Sequence, residues 1–361
     1  MQKHRICIIA PPNSIHTRRW IEYVKELNYF DIYYICFRDY WKPVEKTFFV
    51  TNRFHLPYSL FLLYAFLKTT LYLKTKKFDI IHSHFLYPYG IFLLFANSKK
   101  VISLWGSDVT KFYKESKQAK RLIFNLTIKN TDYIITPSEY FISFFDKKPK
   151  KWIKIIWGID TSAVGKKDSS EKIKWGFSEN ETIICSIRGL RDIFQIERIV
   201  GAVRMLNELG IRNKLILIRG TDEKYNKSIL KMCSDMPNVM FMKALDQNDF
   251  HSLLRASDIA ISLAIRDGAP VSIKEAMYAG LPVIFQEIEP LNPVIKDGLT
   301  GFALKGFSKE ELADKISFIV KNPEIVRKIT LSAELHSVKE FDEETIKMQV
   351  RNFYQSINHE N

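Results

Sequence analysis

Asp267 and Glu275 lie with seven residues between them in the run Ser262 to Ile284. An apolar stretch leads to Asp267 and Gly268, Pro270 follows, and a helical pattern runs to Gly280 before Pro282-Val283-Ile284. The reading is strand, loop, helix, glycine stop, strand. Gly268 lets backbone come close to a bound molecule. Pro270 sits where the helix begins, where a missing N–H costs nothing. The free N–H groups of that first turn, with Ala269 and Ser272 beside them, favour anionic oxygens. Asp267 in the loop and Glu275 in the early helix can then face one ligand. Taken singly, Asp267 reads equally as a turn residue and Glu275 as a charge at a helix start.

Such a loop needs strands to present it, and the chain supplies them twice. Arg5–Ala10, Asp31–Cys36, Asp79–His82, Val101–Leu104, Tyr133–Thr136 and Ile153–Ile156 read as strands. Nearly continuous apolar runs of this kind suit strands covered on both faces. Helices are expected over Thr17–Leu27 and Pro57–Leu73. The polar stretch Thr161–Ser170 reads as a linker, after which the pattern restarts. Strands over Thr182–Ile187, Lys214–Ile218, Asn238–Met242, Ile259–Leu263 and Pro282–Phe285 alternate with helices over Glu197–Leu209, Tyr225–Met236, Asn248–Ala256 and Val271–Ala279. Lys309–Lys321 is a later helix, and Glu343–Ile357 a terminal one that returns to the first domain. The expectation is an α/β protein of two doubly wound parallel sheets facing one another. The expected domains are residues 1–160, residues 161–340, and a returning helix over 341–361. Ligands in such folds bind outside the carboxyl ends of the strands.

Composition bounds the partners. The 361 residues carry a net charge of +14, with 54 Lys and Arg against 40 Asp and Glu. Residues 1–160 hold 26 basic and 12 acidic side chains, and the remainder is balanced, so the excess lies in the first half. A one-sided positive field attracts an anionic substrate or membrane surface; it also serves plain solubility. Pro57–Leu73 places Tyr58, Tyr64 and Tyr72 near Lys68, Lys74, Lys76 and Lys77, which suits a membrane interface or a buried helix. Cys7, Cys36, Cys185 and Cys233 have no metal-like spacing and read as buried thiols of a reducing compartment. No run reaches the length of a spanning helix, and the first residues do not read as a secretory signal. A cytoplasmic location, peripheral at the inner face of a membrane, is the expectation. Nucleic acid is not an expected partner.

The run from Asp267 resembles the E-x7-E signature of retaining glycosyltransferase family 4, with Asp in place of the first Glu. Other pieces follow in that family's order. Asp79 to His82 resembles its N-domain strand, and Trp105-Gly106-Ser107-Asp108 its next loop. Thr131-Asp132 with Ser138, Gly158 to Asp160, and Asp297-Gly298 to Gly301 match further markers. The resemblance covers roughly residues 5 to 357. It implies the GT-B fold of two facing Rossmann-like domains and transfer of a sugar from a nucleotide-diphosphate sugar with retention. No cofactor and no bound metal are implied, and no Asp-x-Asp pair ends a strand. The implied acceptor is a glycan or a lipid-linked molecule, as in surface polysaccharide assembly.

Roles carry over residue by residue. Asp267 would lie near the donor sugar, with Gly268, Ala269, Pro270 and Ser272 around the donor, and Glu275 would bind ribose hydroxyls. Many members supply an Arg and a Lys after the first strand of the second domain; here those positions are Gly189 and Phe194. A variant pattern fits Arg188 instead, with Arg191 in reserve, to meet the diphosphate charge. Arg188 reads alternatively as one half of a surface ion pair. Trp105 stands where many members carry His, so the resemblance implies no His-assisted role at that position, while Asp108 can still act in the cleft. His82 and His84 read as packed residues rather than catalysts. Asn13, Ser14 and His16 follow the first strand where a Gly-rich loop is common, and either line the cleft or cap a helix through Ser14 or Thr17. A nucleotide-sugar isomerase on the same fold, or a partner protein with a decayed site, are the competing readings.

Overall fold

The continuous apolar runs do form strands covered on both sides, in two separate units. The computed structural model describes residues 3–359 apart from 12, 13, 38–42, 52–54, 56, 114, 115, 147 and 148. Asn13 therefore lies outside the described residues. One unit comprises residues 1–156 with 346–361, the other residues 157–345.

The first unit runs β1 (His4–Ile9), α1 (Ile15–Glu26), β2 (Phe30–Cys36), β3 (Lys46–Phe49), α2 (Tyr58–Thr75), β4 (Ile80–His84), β5 (Lys99–Ser103), α3 (Gln118–Asn130), β6 (Tyr133–Thr136) and β7 (Lys151–Lys154). A 3-10 turn spans Gly90–Phe95. The sheet is parallel in the order β3-β2-β1-β4-β5-β6-β7. On one face α1 buries Trp20, whose Nε1 donates to the Tyr354 hydroxyl at 2.9 Å. On the other face α2, the 3-10 turn and α3 cover Cys7, Ile9, Ile81, Ile102 and Ile134.

The second unit runs α4 (Thr161–Val164), α5 (Ser169–Lys174), β8 (Thr182–Gly189), α6 (Ile196–Glu208), β9 (Asn213–Ile218), α7 (Glu223–Met232), β10 (Val239–Met242), α8 (Gln247–Ala256), β11 (Ile259–Ser262), α9 (Val271–Tyr278), β12 (Val283–Gln286), β13 (Phe302–Leu304), α10 (Lys309–Lys321) and α11 (Pro323–Phe341). Its sheet is parallel in the order β10-β9-β8-β11-β12-β13. The chain then enters α12 (Glu343–His359), most of which belongs to the first unit. Both units are Rossmann-like, and in each the strand order reverses beside the first strand. Those reversals lie between β1 and β4 and between β8 and β11, so the loops leaving these four strands flank the switch points where such folds take ligands.

The stretch read as a linker, Thr161–Ser170, is instead largely helical. Asp160 caps α4 by accepting from Ser162 N and Ala163 N, and Asp168 caps α5 by accepting from Ser170 N. Among the described residues, β3, β13, α3 and α11 also lie outside the sequence reading. All four cysteines are buried free thiols. Tyr64 and Tyr72 turn toward the core, Tyr72 stacking on Phe48 with centroids 3.9 Å apart, rather than forming an outward aromatic belt.

Candidate functional site

Arg188 is the penultimate residue of β8, within a register irregularity between Ser186 and Gly189. Its guanidinium lies over the Phe194 ring at 4.4 Å. From there Nη2 approaches Asp267 Oδ2 at 2.8 Å, as a close charge contact rather than an aligned hydrogen bond. Nη1 donates weakly to Ser272 Oγ at 3.3 Å. Asp267 Oδ1 accepts from Gly268 N, the adjacent backbone amide, at 2.8 Å. Three segments thus converge: the end of β8, the loop after β11 and the first turn of α9.

The two loops are tied together by backbone. Ile265 N donates to Ile193 O at 3.0 Å, and Gln195, in the left-handed conformation at φ 50°, donates from Nε2 to Leu263 O at 2.8 Å. A third loop closes in at Gly220. A Cβ there would stand 2.1 Å from Leu190 O, so only glycine permits the approach. Asn226 holds that glycine at both ends, accepting from Gly220 N at 3.1 Å and donating to Gly220 O at 2.9 Å.

Helix α9 starts at Pro270 with no side-chain cap, leaving its first-turn N–H groups available to an anion beside Arg188 and Ser272. Lys274, wholly buried, anchors the helix by donating to Trp157 O at 2.5 Å. Glu275 is one turn beyond Ser272 and so shares its face. Its Oε1 meets His251 Nε2 of α8 at 3.0 Å, with both side chains buried. His251 Nδ1 is buried without a hydrogen-bond partner. A bare lone pair is cheaper to bury than a bare N–H, which places a proton on Nε2, donating to Glu275.

The first unit gathers its own cluster at the ends of β1, β4 and β5. Asp108 Oδ1 accepts from Trp105 N at 3.0 Å and Gly106 N at 2.9 Å, while Oδ2 accepts from Leu86 N at 3.0 Å. Its carboxyl is fully buried, and burial pushes it up to about 6 although the three N–H groups oppose the shift. Asp108 therefore laces the loops after β4 and β5 together. Ser14 caps α1 by accepting from Thr17 N at 3.3 Å. His16 stacks on Trp105 with centroids 5.0 Å apart, and Trp105 packs against His84 at 5.2 Å.

His82 Nδ1 lies 2.7 Å from the Tyr354 hydroxyl and Nε2 lies 2.8 Å from Ser103 Oγ. Because Trp20 Nε1 can only donate to that hydroxyl, the Tyr354 proton goes to His82 Nδ1. Burial drives His82 down to about 3 and His84 well below its ordinary value. Both rings are neutral at neutral pH. Among the described residues, no group of three or more His, Cys, Asp or Glu side chains is placed to hold a metal ion. No helix among them is long and apolar enough to cross a membrane.

Two family models match this chain. The model described as glycosyl transferases group 1 matches residues 167–335, and the one described as glycosyl transferase 4-like matches residues 5–138. The chain thus carries a glycosyl transferases group 1 domain and a glycosyl transferase 4-like domain. It is 26% identical over 165 residues to a trehalose synthase of Pyrococcus horikoshii, a match covering 43% of this chain and 37% of that protein. It is 25% identical over 268 residues to the UDP-Gal:alpha-D-GlcNAc-diphosphoundecaprenol alpha-1,3-galactosyltransferase of Escherichia coli, covering 68% of this chain and 66% of that one. Each match thus spans less than two thirds of the relative's length. Among solved structures, Anabaena Alr3699/HepE in complex with UDP-glucose shares the fold at a TM-score of 0.77, with 16% identity over 98% of this chain and 99% of that one.

In the second unit, the structure brings Arg188, Asp267, Gly268 and Ser272 together, with Glu275 one turn on. Gly189 lies against Gly220, where a Cβ would meet its Cα at 3.5 Å. Ala269 and Pro270 form the entry to α9. Arg191 is exposed, 5.9 Å from the Phe194 ring. In the first unit His16 and Trp105 stack while Ser14 caps a helix and Asp108 binds backbone. Four contributors escaped the sequence reading: Phe194 as the shelf under Arg188, Gln195, Gly220 and His251. His251 had one sequence signal, as a polar residue three positions before the apolar Leu254 on a core-facing helix.

Proposed function

We propose that this chain transfers a sugar, with retention of anomeric configuration, from a nucleotide-diphosphate sugar to a glycan or lipid-linked acceptor in surface polysaccharide assembly. The supporting observation is the convergence of Arg188 on Asp267 and Ser272 at the uncapped start of α9. The guanidinium and the first-turn N–H groups meet the two phosphates and stabilise the charge left on the departing diphosphate. Asp267 trades its contact with Arg188 for the donor sugar, and Glu275, oriented by His251, accepts from ribose hydroxyls. Asp108 acts as a positioning residue: its oxygens are engaged by three backbone N–H groups, and it fixes Trp105 beside His16 and His84 on the acceptor side. The UDP-Gal in one relative's name, and the UDP-glucose bound in a protein of the same fold, make a uridine nucleotide the first to try. The basic first unit fits an acceptor bearing a diphosphate at the inner face of a membrane.

The test is turnover across a panel of nucleotide sugars, with the product anomer read by proton NMR. Retention is expected, and Arg188→Ala and Glu275→Ala should each abolish it. An inverted anomer, or unchanged turnover in both variants, contradicts the assignment. An epimerised donor formed without acceptor would mark an isomerase instead.

A further inference from the structure

Helix α2 exposes a ridge of leucines that the core does not use. Leu60, Leu63, Leu67 and Leu71 are 52%, 55%, 58% and 64% exposed. Steps of three, four and four residues put them on one face, while Ala65, Thr69 and Leu73 are buried on the other. Helix α3 repeats the pattern, with Leu122 and Leu126 exposed at 61% and 42% above buried Phe124 and Ile128. Both helices lie on the same side of the sheet, because both pack on the 3-10 turn between them. Phe66 of α2 meets Phe92 and Phe95, and Gly90 lies beneath Thr127 of α3. The two rows of leucine therefore belong to one face of the first unit.

Charge separates this face from an ordinary sticky surface. Neither α2 nor α3 contains an acidic residue. Lys74, Lys76 and Lys77 close α2, and Lys117 and Lys129 bracket α3, all exposed. Arg121 is balanced by Asp146 at 3.8 Å, and Lys68 folds inward to donate to Phe49 O. The exposed apolar residues of α11, such as Leu331 and Leu335, are by contrast interspersed with Glu324, Glu334 and Glu340. Leucine flanked by lysines that form no ion pair among the described residues is the pattern of a surface that enters the headgroup region of an anionic bilayer. A solvated monomer gains nothing from it.

We propose that the α2–α3 face docks this protein on an anionic lipid surface, the leucine ridge entering the interface and the lysines meeting lipid phosphates. This deepens the membrane part of the function proposed above by naming the surface; the docking itself is independent of the transfer chemistry. The test is flotation of the full chain with vesicles of phosphatidylcholine alone or mixed equally with phosphatidylglycerol. Binding is expected to the mixed vesicles, weakened by salt, and not to the neutral ones. Leu63→Gln with Leu67→Gln should weaken it roughly tenfold or more, since two exposed apolar side chains lose their burial in lipid. Both positions are exposed, so the thermal midpoint should hold. Absence of binding to the mixed vesicles, or equal binding by the double variant, overturns the proposal. So does a wild-type dimer in light scattering that the same variant splits, which would assign the face to a second copy. Nucleoside diphosphate binding in the double variant separates the two readings. Lost vesicle binding with intact nucleotide binding concerns the face alone, and vesicle binding without nucleotide binding sinks the donor site.

Discussion

Arg188→Leu separates the structural from the chemical use of one charge. The guanidinium and the Asp267 carboxylate have side chains only 20% and 15% exposed. Removing one partner of a buried pair costs about 3–5 kcal/mol, because the remaining charge is uncompensated. Partial exposure and the Gly268 N–H reduce this, and roughly 2–3 kcal/mol is the expected loss in the second unit. The double variant Arg188→Leu/Asp267→Leu leaves no orphaned charge and should recover to within about 1 kcal/mol of the parent, since apolar replacement of a buried pair is often neutral. Turnover should not recover: losing a donor aimed at developing charge costs about 100-fold or more. The assays are urea denaturation followed in the second unit and transfer kinetics on the same preparations. If the double variant regains turnover together with stability, Arg188 serves only as the partner of Asp267 and the reasoning fails.

Tyr354→Phe should destabilise the first unit by about 1–3 kcal/mol, because Trp20 Nε1 and His82 Nδ1 both lose their partner inside the core; equal denaturation midpoints would contradict the network. His82, at about 3 when folded against an ordinary 6.5, supports stability fully above pH 6.5 and loses it as pH falls toward 3. Asp108, raised from 3.8 to about 6, acts oppositely, losing stability as pH rises between those values. Asp108→Asn should therefore steepen the acid loss of the first unit between pH 6 and 4, measurable as thermal midpoint against pH; an unchanged or shallower slope counts against the burial of that carboxyl. Gly220→Ala forces a Cβ onto Leu190 O and should cost about 1–3 kcal/mol and raise the donor KM, with unaltered stability refuting the close approach.

The sheets were legible because strands buried on both faces carry nearly continuous apolar runs, as residues 6–9 of β1 and 259–261 of β11 do. Their boundaries moved by one or two residues, and the helices of the second unit fell where their amphipathic spacing placed them. Each missed element has its own physical reason. Edge strand β3 has four residues, half-buried at most, and β13 has three, too few for a period to register. Helices α3 and α11 carry leucines on their outward faces, which erases the contrast that marks a helix against a core. The short helices at Thr161 and Ser169 owe their existence to aspartate caps in a stretch otherwise rich in lysine and serine. Arg188 and Asp267, which the structure brings into contact, could be singled out because one lies at the end of β8 and the other in the loop after β11, beside the switch point. Phe194 under the guanidinium and His251 behind Glu275 were not, because each acts on a residue distant in sequence and only packing brings them together.

The account rests on unit two gripping a diphosphate at Arg188 and the start of α9. Calorimetric titration of UDP, GDP and ADP into the intact chain and into Arg188→Leu addresses this without needing the acceptor or the sugar. One nucleotide should bind the parent, and its affinity should fall roughly tenfold or more in the variant, as loss of a charge-assisted phosphate contact requires. Equal affinity in both proteins, or no heat from any of the three, would contradict it.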